Sequence, residues 1–313
     1  MPSLWMLFAS FAFAAMGAGV KLASEFYTTS ELLFYRGIIG SIVLLAIVRQ
    51  QGGTFRTAFP REHLLRSVVG VVSLWLWFFA IGKLPLATAM TLNYMAPIWI
   101  AAGLFVAGWW SKSNTVEWPL IVAVGASFFG VTMVLQPAFE ANQWLGGLAG
   151  VCSSVISAIA YMQVRKLGQM GEPEYRVVFY FSMTTTIVGL AGVLSGDGAG
   201  ASAGSVSGSY FHNHTPGGAV LLLGIGCAAL MAQMAMTRAY RVGKVLVVAN
   251  LQYTGIVFSS LWGLALWGDR FDWHVWMGIG VILASGIAAT FYNTRKTVRG
   301  AAMAKTDPIA SEL

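Results

Sequence analysis

Two short phrases hold much of the polar chemistry of this chain: TLNYMAP at residues 91–97 and NLQYTGI at 250–256. Aligned on Leu92 and Leu251, they pair Asn93 with Gln252, Tyr94 with Tyr253 and Ala96 with Gly255, and Asn250 opens the second phrase. Each phrase sets an amide beside a phenol within an apolar stretch. Leaving such a group without a partner in an apolar medium costs roughly 2–7 kcal/mol. Two accounts are open: the amides and phenols bond neighbouring helices, or they face a cavity and hold a solute. Arg36 is the clearest ionisable residue inside an apolar run. It is a candidate contact for a carboxylate or other anion; the alternatives are an ion pair with Glu31 or Glu25, or snorkelling to the headgroups. Trp77 and Tyr161 are candidates to stack on a planar solute, and Gln233 to orient it. Pro97, four residues past Asn93, frees a carbonyl one turn back and is a candidate hinge. The four histidines, His63, His212, His214 and His274, fall in loops or at run ends, and no aspartate lies inside a run. No metal set or Ser-His-Asp set can be assembled from this inventory. The chemistry is that of recognition, with no enzyme activity and no cofactor expected.

The elements that must position these groups are long apolar helices. The chain has 313 residues, 57% hydrophobic and 10% charged, with a mean hydropathy of +0.70. A soluble chain carries about 25% charged residues. A bilayer span needs about 20 mostly apolar residues. Ten such runs are present, near 3–22, 31–49, 64–82, 87–108, 118–136, 144–164, 177–195, 217–237, 245–267 and 273–292. The expected fold class is an all-α membrane protein with ten transmembrane helices. Trp5, Trp109, Trp110 and Trp118 suit an interfacial belt. Cys152 and Cys227 fall inside runs and read as unpaired small residues. Most of the connection 196–218 is Gly/Ser-rich.

The net charge of +7 sets topology; no nucleic-acid partner is expected. With the amino terminus cytoplasmic and the loops assigned alternately, the cytoplasmic side holds Arg49, Arg56, Arg61, Arg66, Lys112, Arg165, Lys166, Arg176, Arg238, Arg241, Lys244, Arg295, Lys296, Arg299 and Lys305. Lys21, Arg36, Lys83 and Arg270 are left for the other side and the spans. Basic residues favour the cytoplasmic side, so both termini are expected there, in the inner (cytoplasmic) membrane.

Residues 78–96 match 237–255 without a gap, Phe34-Tyr35-Arg36 aligns with Phe179-Tyr180-Phe181, and Lys21 with Lys166. The order is kept at a nearly constant offset, which predicts two repeats, 3–138 and 144–293, followed by a cytoplasmic tail, 294–313. Five spans per repeat is an odd number, so the second copy enters the membrane from the opposite face. Inverted repeats of this kind are common in secondary transporters and place the substrate near the midplane between them.

The residues SELLFYRGIIG (30–40), LPLATAMTLNYMAPIW (84–99), TRAYRVGKVLVVANLQY (237–253), LWGDR (266–270) and GIGVILASG (278–286) resemble the drug/metabolite transporter superfamily, in particular its ten-helix EamA-type carriers. The FYR and TRAYR…LQY phrases look closest to the branch with riboflavin and S-adenosylmethionine uptake carriers. The resemblance covers nearly the whole chain and implies a carrier. One departure stands out: the Gly-Glu pair that the family has at the end of the fourth helix of each repeat is Trp109-Trp110 in the first copy and Gly268-Asp269 in the second.

Together these readings predict alternating-access movement of a small solute through the bilayer, by a monomer or homodimer. The solute is planar and neutral, zwitterionic or anionic, because no deep carboxylate is present to hold a cation. Its candidates are flavin-like, nucleoside-like or aromatic amino acids. An exporter of drugs or amino acids from the same superfamily is the alternative; a passive channel and a membrane-embedded assembly subunit are the readings from other classes.

Overall fold

A computed structural model describes residues 2–84, 86–110, 118–136, 144–195, 211–212, 215–268 and 272–306. Asp269, Arg270, Lys112, His214 and most of the 196–218 connection lie outside the described residues. The described chain is helical, in twelve segments: α1 (Pro2–Ala23), α2 (Thr29–Gln50), α3 (Pro60–Lys83), α4 (Leu86–Asn93), α5 (Ala96–Trp110), α6 (Trp118–Leu135), α7 (Trp144–Gln169), α8 (Glu174–Leu194), α9 (Pro216–Val242), α10 (Val245–Gln252), α11 (Thr254–Trp267) and α12 (Trp273–Thr306). Helices are the expected answer in lipid, since each backbone polar group is satisfied within its own segment.

Nine stretches among the described residues are long and apolar enough to cross a bilayer, with α4–α5 and α10–α11 each crossing as one broken span. The tenth span is α3, whose 24 residues include Arg61, Glu62, Arg66 and Lys83. Local signals set the helix starts. Thr28 caps α2, its hydroxyl accepting from Glu31 N while the Glu31 carboxylate accepts from Thr28 N, a reciprocal capping box. Pro60 and Pro216 stand in the first turns of α3 and α9, where a missing N–H costs nothing. Gly268, at φ +66°, ends α11 in the left-handed conformation, whereas α5 runs to Trp110, a residue 86% exposed.

One expectation changes: TLNYMAP and NLQYTGI each fall at a break in their span and not within a continuous helix. At the first break Met95 N donates to Leu92 O at 3.1 Å; at the second, Tyr253 N donates to Asn250 O at 3.2 Å. Both are tight three-residue turns inside an otherwise four-residue ladder. Pro97 lies in the first turn of α5, just past the break, and the second break forms with Ile256 in the corresponding place. Thr254 Oγ1 donates to Leu251 O at 2.6 Å, and Ser10 Oγ approaches the same carbonyl at 3.4 Å, so the freed acceptor keeps partners. At the carboxyl end α12 continues as helix to Thr306, past the run that ends near residue 292.

The helices pack as α1 on α9, α3 on α7, α2 on α8 and α6 on α12. Where α2 crosses α8, a Cβ on Gly37 would lie 2.7 Å from Thr186 N, and one on Gly189 2.5 Å from Phe34 N. Only glycine permits that approach, the usual device for helix contact in lipid. Large apolar side chains such as Phe8, Trp75, Phe129, Leu148 and Ile187 are exposed on the outer surface, as are Cys152 and Cys227. The short α10 is enclosed, with Val245 through Leu251 all buried.

Candidate functional site

The two breaks meet. The rings of Tyr94 and Tyr253 are 6.4 Å apart, centroid to centroid. A Cβ on Gly255 would stand 3.1 Å from the Tyr94 hydroxyl, so the small residue in the second phrase leaves room for the phenol of the first. Beside them lies a cavity of about 220 Å³. Asn93, Tyr94 and Pro97 reach it from the first broken span, and Gln252 and Gly255 from the second. Arg36 lines it from α2, Trp77 from α3, Tyr161 from α7 and Gln233 from α9. Ser10 and Phe13 on α1 and Ser73 on α3 complete much of the wall.

Eight of the residues singled out by sequence thus converge on one space, and two do not. Asn250 is 1% exposed; its Oδ1 accepts from Ser127 Oγ at 2.7 Å, and that hydroxyl also contacts Ser285. Asn250 therefore ties α10 to α6 and α12, the helix-bonding account of a buried amide. Tyr253 is fully buried behind Tyr94, and its hydroxyl has no hydrogen-bond partner among the described residues. Gln252 keeps its amide on the cavity side, hydrogen-bonded to Tyr161, with Tyr240 Oη 3.5 Å from its Oε1. Tyr161 and Tyr240 stack at 5.6 Å with rings 10° from parallel.

Arg66 is a correction. Counted by sequence as a cytoplasmic topology charge, it lies in the second turn of α3, 3% exposed, and lines the cavity. Its guanidinium sits over the Phe181 ring at 4.2 Å, and that of Arg36 approaches the same ring at 5.7 Å. Phe181 is the residue that stands opposite Arg36 in the repeat alignment. Neither arginine has an ion pair among the described residues: Glu31, which with Glu25 was an alternative partner for Arg36, is held by His212 and Thr28 instead. Among the described residues no carboxylate lines the cavity. Arg66 Nε and Nη1 and Gln233 Oε1 are buried without a hydrogen-bond partner among the described residues. A charge in this setting costs about 2.5–3.5 kcal/mol on insertion scales, and a cation–π contact returns about 2 kcal/mol or more where the cation is desolvated. Gly70 makes the pose possible, because a Cβ there would come within 2.4 Å of Arg66 Nη1.

Two acid–histidine pairs, not foreseen from sequence, join segments far apart in the chain. At the start of α2, Glu31 Oε1 accepts from His212 N at 2.7 Å and Oε2 meets His212 Nδ1 at 2.8 Å. Ahead of α8, Glu172 Oε1 accepts from Thr57 at 2.7 Å, and Oε2 accepts from Arg176 Nη1 at 2.8 Å and lies 3.2 Å from His63 Nε2. Burial alone would raise the Glu172 pKa. Thr57, Arg176 and His63 outweigh it and hold the carboxyl below the usual glutamate range. Each acid stands near the start of the second helix of one half of the chain, and each histidine near the start of the third helix of the other half. That placement was visible in the sequence, but histidines at run ends carry no pairing signal by themselves.

Comparison with known proteins points one way as to class. Residues 1–136 match the EamA-like transporter family. The pseudopaline exporter of Pseudomonas aeruginosa strain UCBPP-PA14 is 30% identical over 268 residues, covering 85% of this chain and 87% of the exporter. The riboflavin transporter of Vibrio cholerae is 26% identical, covering 95% of each chain. The S-adenosylmethionine uptake transporter of Rickettsia conorii is 26% identical over 164 residues, 51% of this chain and 53% of that one. A solved crystal structure at 17% identity shares the fold with a TM-score of 0.74, covering 94% of this chain and 98% of its own.

Proposed function

The chain belongs to the EamA-like transporter family, and we propose that it is a secondary carrier of two inverted five-helix repeats, 3–138 and 144–293, holding its solute in the cavity beside the Tyr94/Tyr253 contact. It is a multi-pass membrane transporter; the repeat, site, solute and orientation are the parts proposed. The observation that carries the reading is the meeting of two broken spans at one cavity whose wall includes Arg36, Asn93 and Gln252. Discontinuous helices at a repeat interface are a recurrent way to build a transport site, because backbone irregularity is tolerated in the membrane where it lines a cavity. The packing is compatible with the repeat. Exchanging the first five spans with the last five turns the α1–α9 contact into the α3–α7 contact and leaves α2–α8 and α6–α12 paired as before.

A volume of about 220 Å³ is below the roughly 300–1,000 Å³ of drug-sized sites, which favours a compact solute over a whole flavin. Asn93 and Gln252 would hydrogen-bond it, Trp77 and Tyr161 would stack on its planar part, and Arg36 would meet an anionic group. The relatives include an exporter and uptake carriers, and a rocking carrier runs in either direction with its gradient. The loop charges, with Arg66 removed from the count, still favour an inner-membrane orientation with both termini cytoplasmic. The reading is tested by flux into proteoliposomes. Asn93→Ala and Gln252→Ala should each raise KM or abolish saturable uptake at unchanged membrane abundance. Uptake equal to that of the unsubstituted protein at equal abundance refutes the site, and flux that never saturates refutes the carrier.

A further inference from the structure

We infer that Arg36 and Arg66 form an anion clamp, so that the solute is a net-negative compound whose oxyanions, carboxylate or phosphate, dock against both guanidiniums. The inference deepens the carrier reading and rests on its choice of cavity as the solute site. Three observations carry it. Two arginines reach one cavity from different helices, α2 and α3, and share the Phe181 ring at 5.7 and 4.2 Å. Among the described residues no acid neutralises either of them: the cavity wall contains no carboxylate, and Glu31 and Glu172 are engaged by His212 and by Thr57, Arg176 and His63. Arg66 is also 3% exposed, and among the described residues its Nε and Nη1 and the buried Gln233 Oε1 have no hydrogen-bond partner.

Buried charges are ordinarily paired, so a pair of like charges left open in a protein interior marks a counter-ion that comes from outside. A guanidinium offers donors in a planar fork that matches carboxylate and phosphate. Two of them against one aromatic ring suit a solute with two anionic groups on a planar or apolar part, or one oxyanion bridging both. Gln233 Oε1 is an acceptor, so it would take a donor from the solute's neutral portion. A cationic solute is disfavoured outright, since both charges repel it without an acid to compensate.

The test uses the full chain purified in detergent, with glutarate, citrate, inorganic phosphate and putrescine as probes at constant ionic strength. A ligand that binds only the folded state raises the thermal midpoint. Glutarate or citrate, or phosphate, should raise it in a saturable way, and putrescine should not; which of the two anion types acts identifies the source of the oxyanion. Arg36→Gln and Arg66→Gln should each weaken the effective probe at least about tenfold, as for loss of a charge-assisted contact. Arg66→Met provides a check that needs no ligand. A clamp strained in its empty state predicts a ligand-free midpoint at or above that of the natural protein, whereas a structural arginine predicts a fall of several degrees. The clamp is overturned if no oxyanion shifts the midpoint, if the shift survives both substitutions, if putrescine produces it, or if Arg66→Met is destabilising. The carrier reading fails separately: oxyanion binding without saturable flux sinks the carrier and keeps the clamp, while saturable flux of a cation unchanged in Arg66→Met does the reverse.

Discussion

Replacing Glu172 by alanine removes the acceptor on which three side chains from different parts of the fold converge. Glu172 is 4% exposed, Thr57 and Arg176 donate to it at 2.7 and 2.8 Å, and His63 lies at 3.2 Å while itself 1% exposed. Removing one member of a buried pair costs about 3–5 kcal/mol, because the remaining charge and donors stay buried. Glu172→Gln keeps an acceptor for Thr57 and gives up the charge, so its loss should be nearer one charge-assisted hydrogen bond, about 1.5–3 kcal/mol. The assay is unfolding of the purified protein in mixed detergent, read as a function of denaturing detergent and of pH. The sign follows from the lowered pKa of the folded carboxyl. Its stabilisation is complete above the unfolded value of 4.5 and is lost as the pH falls through the lower folded value. Glu172→Gln should therefore flatten this acid limb while leaving behaviour near neutrality parallel to that of the natural protein. A loss under about 1 kcal/mol for Glu172→Ala, the size expected of an exposed ion pair, refutes the claim that this network holds the start of α8 to the start of α3.

Three further outcomes are expected. Asn250→Val should cost about 0.6–2 kcal/mol of stability, the range for hydrogen bonds between membrane helices, with KM unchanged, as measured by unfolding and by proteoliposome flux; a changed KM at full stability would return Asn250 to the cavity. Gly255→Val places branched carbons where the Tyr94 hydroxyl stands 3.1 Å from a bare Cβ position, so it should impair saturable flux with membrane abundance retained, checked by transport normalised to protein quantity. Gly37→Leu drives a side chain into the Thr186 and Ser182 backbone at 2.7–2.8 Å and should cost several kcal/mol by overpacking, typically about 1–3 or more; normal accumulation and normal thermal midpoint would contradict the close α2–α8 crossing.

Much of this molecule was decided by one-dimensional information. Lipid tests each stretch of chain locally, by whether about 20 residues are apolar and can satisfy their own backbone, so the ten spans were legible from composition alone. The paired phrase was legible for a related reason: an amide and a tyrosine recur at the same register in 91–97 and 250–256. The sequence by itself therefore determined the class and the span count and named, as candidates, the eight side chains that line the cavity. Direction around a helix axis was another matter. Asn250 and Gln252 are two residues apart, about 200° around the helix, and only the packing of α6, α12 and α7 around α10 sent one amide to a serine and the other to the cavity. Arg66 reads as a cytoplasmic-side charge because it stands at the very edge of the run 64–82, just past Arg61 and Glu62; the packing of α3 is what sends its side chain to the cavity. The Glu31–His212 and Glu172–His63 pairs depend on contacts between opposite halves of the chain, and no local pattern encodes those. Tertiary structure chose the partners, because a buried polar group takes the donor or acceptor that packing places within about 3 Å, and chain order leaves that neighbour open.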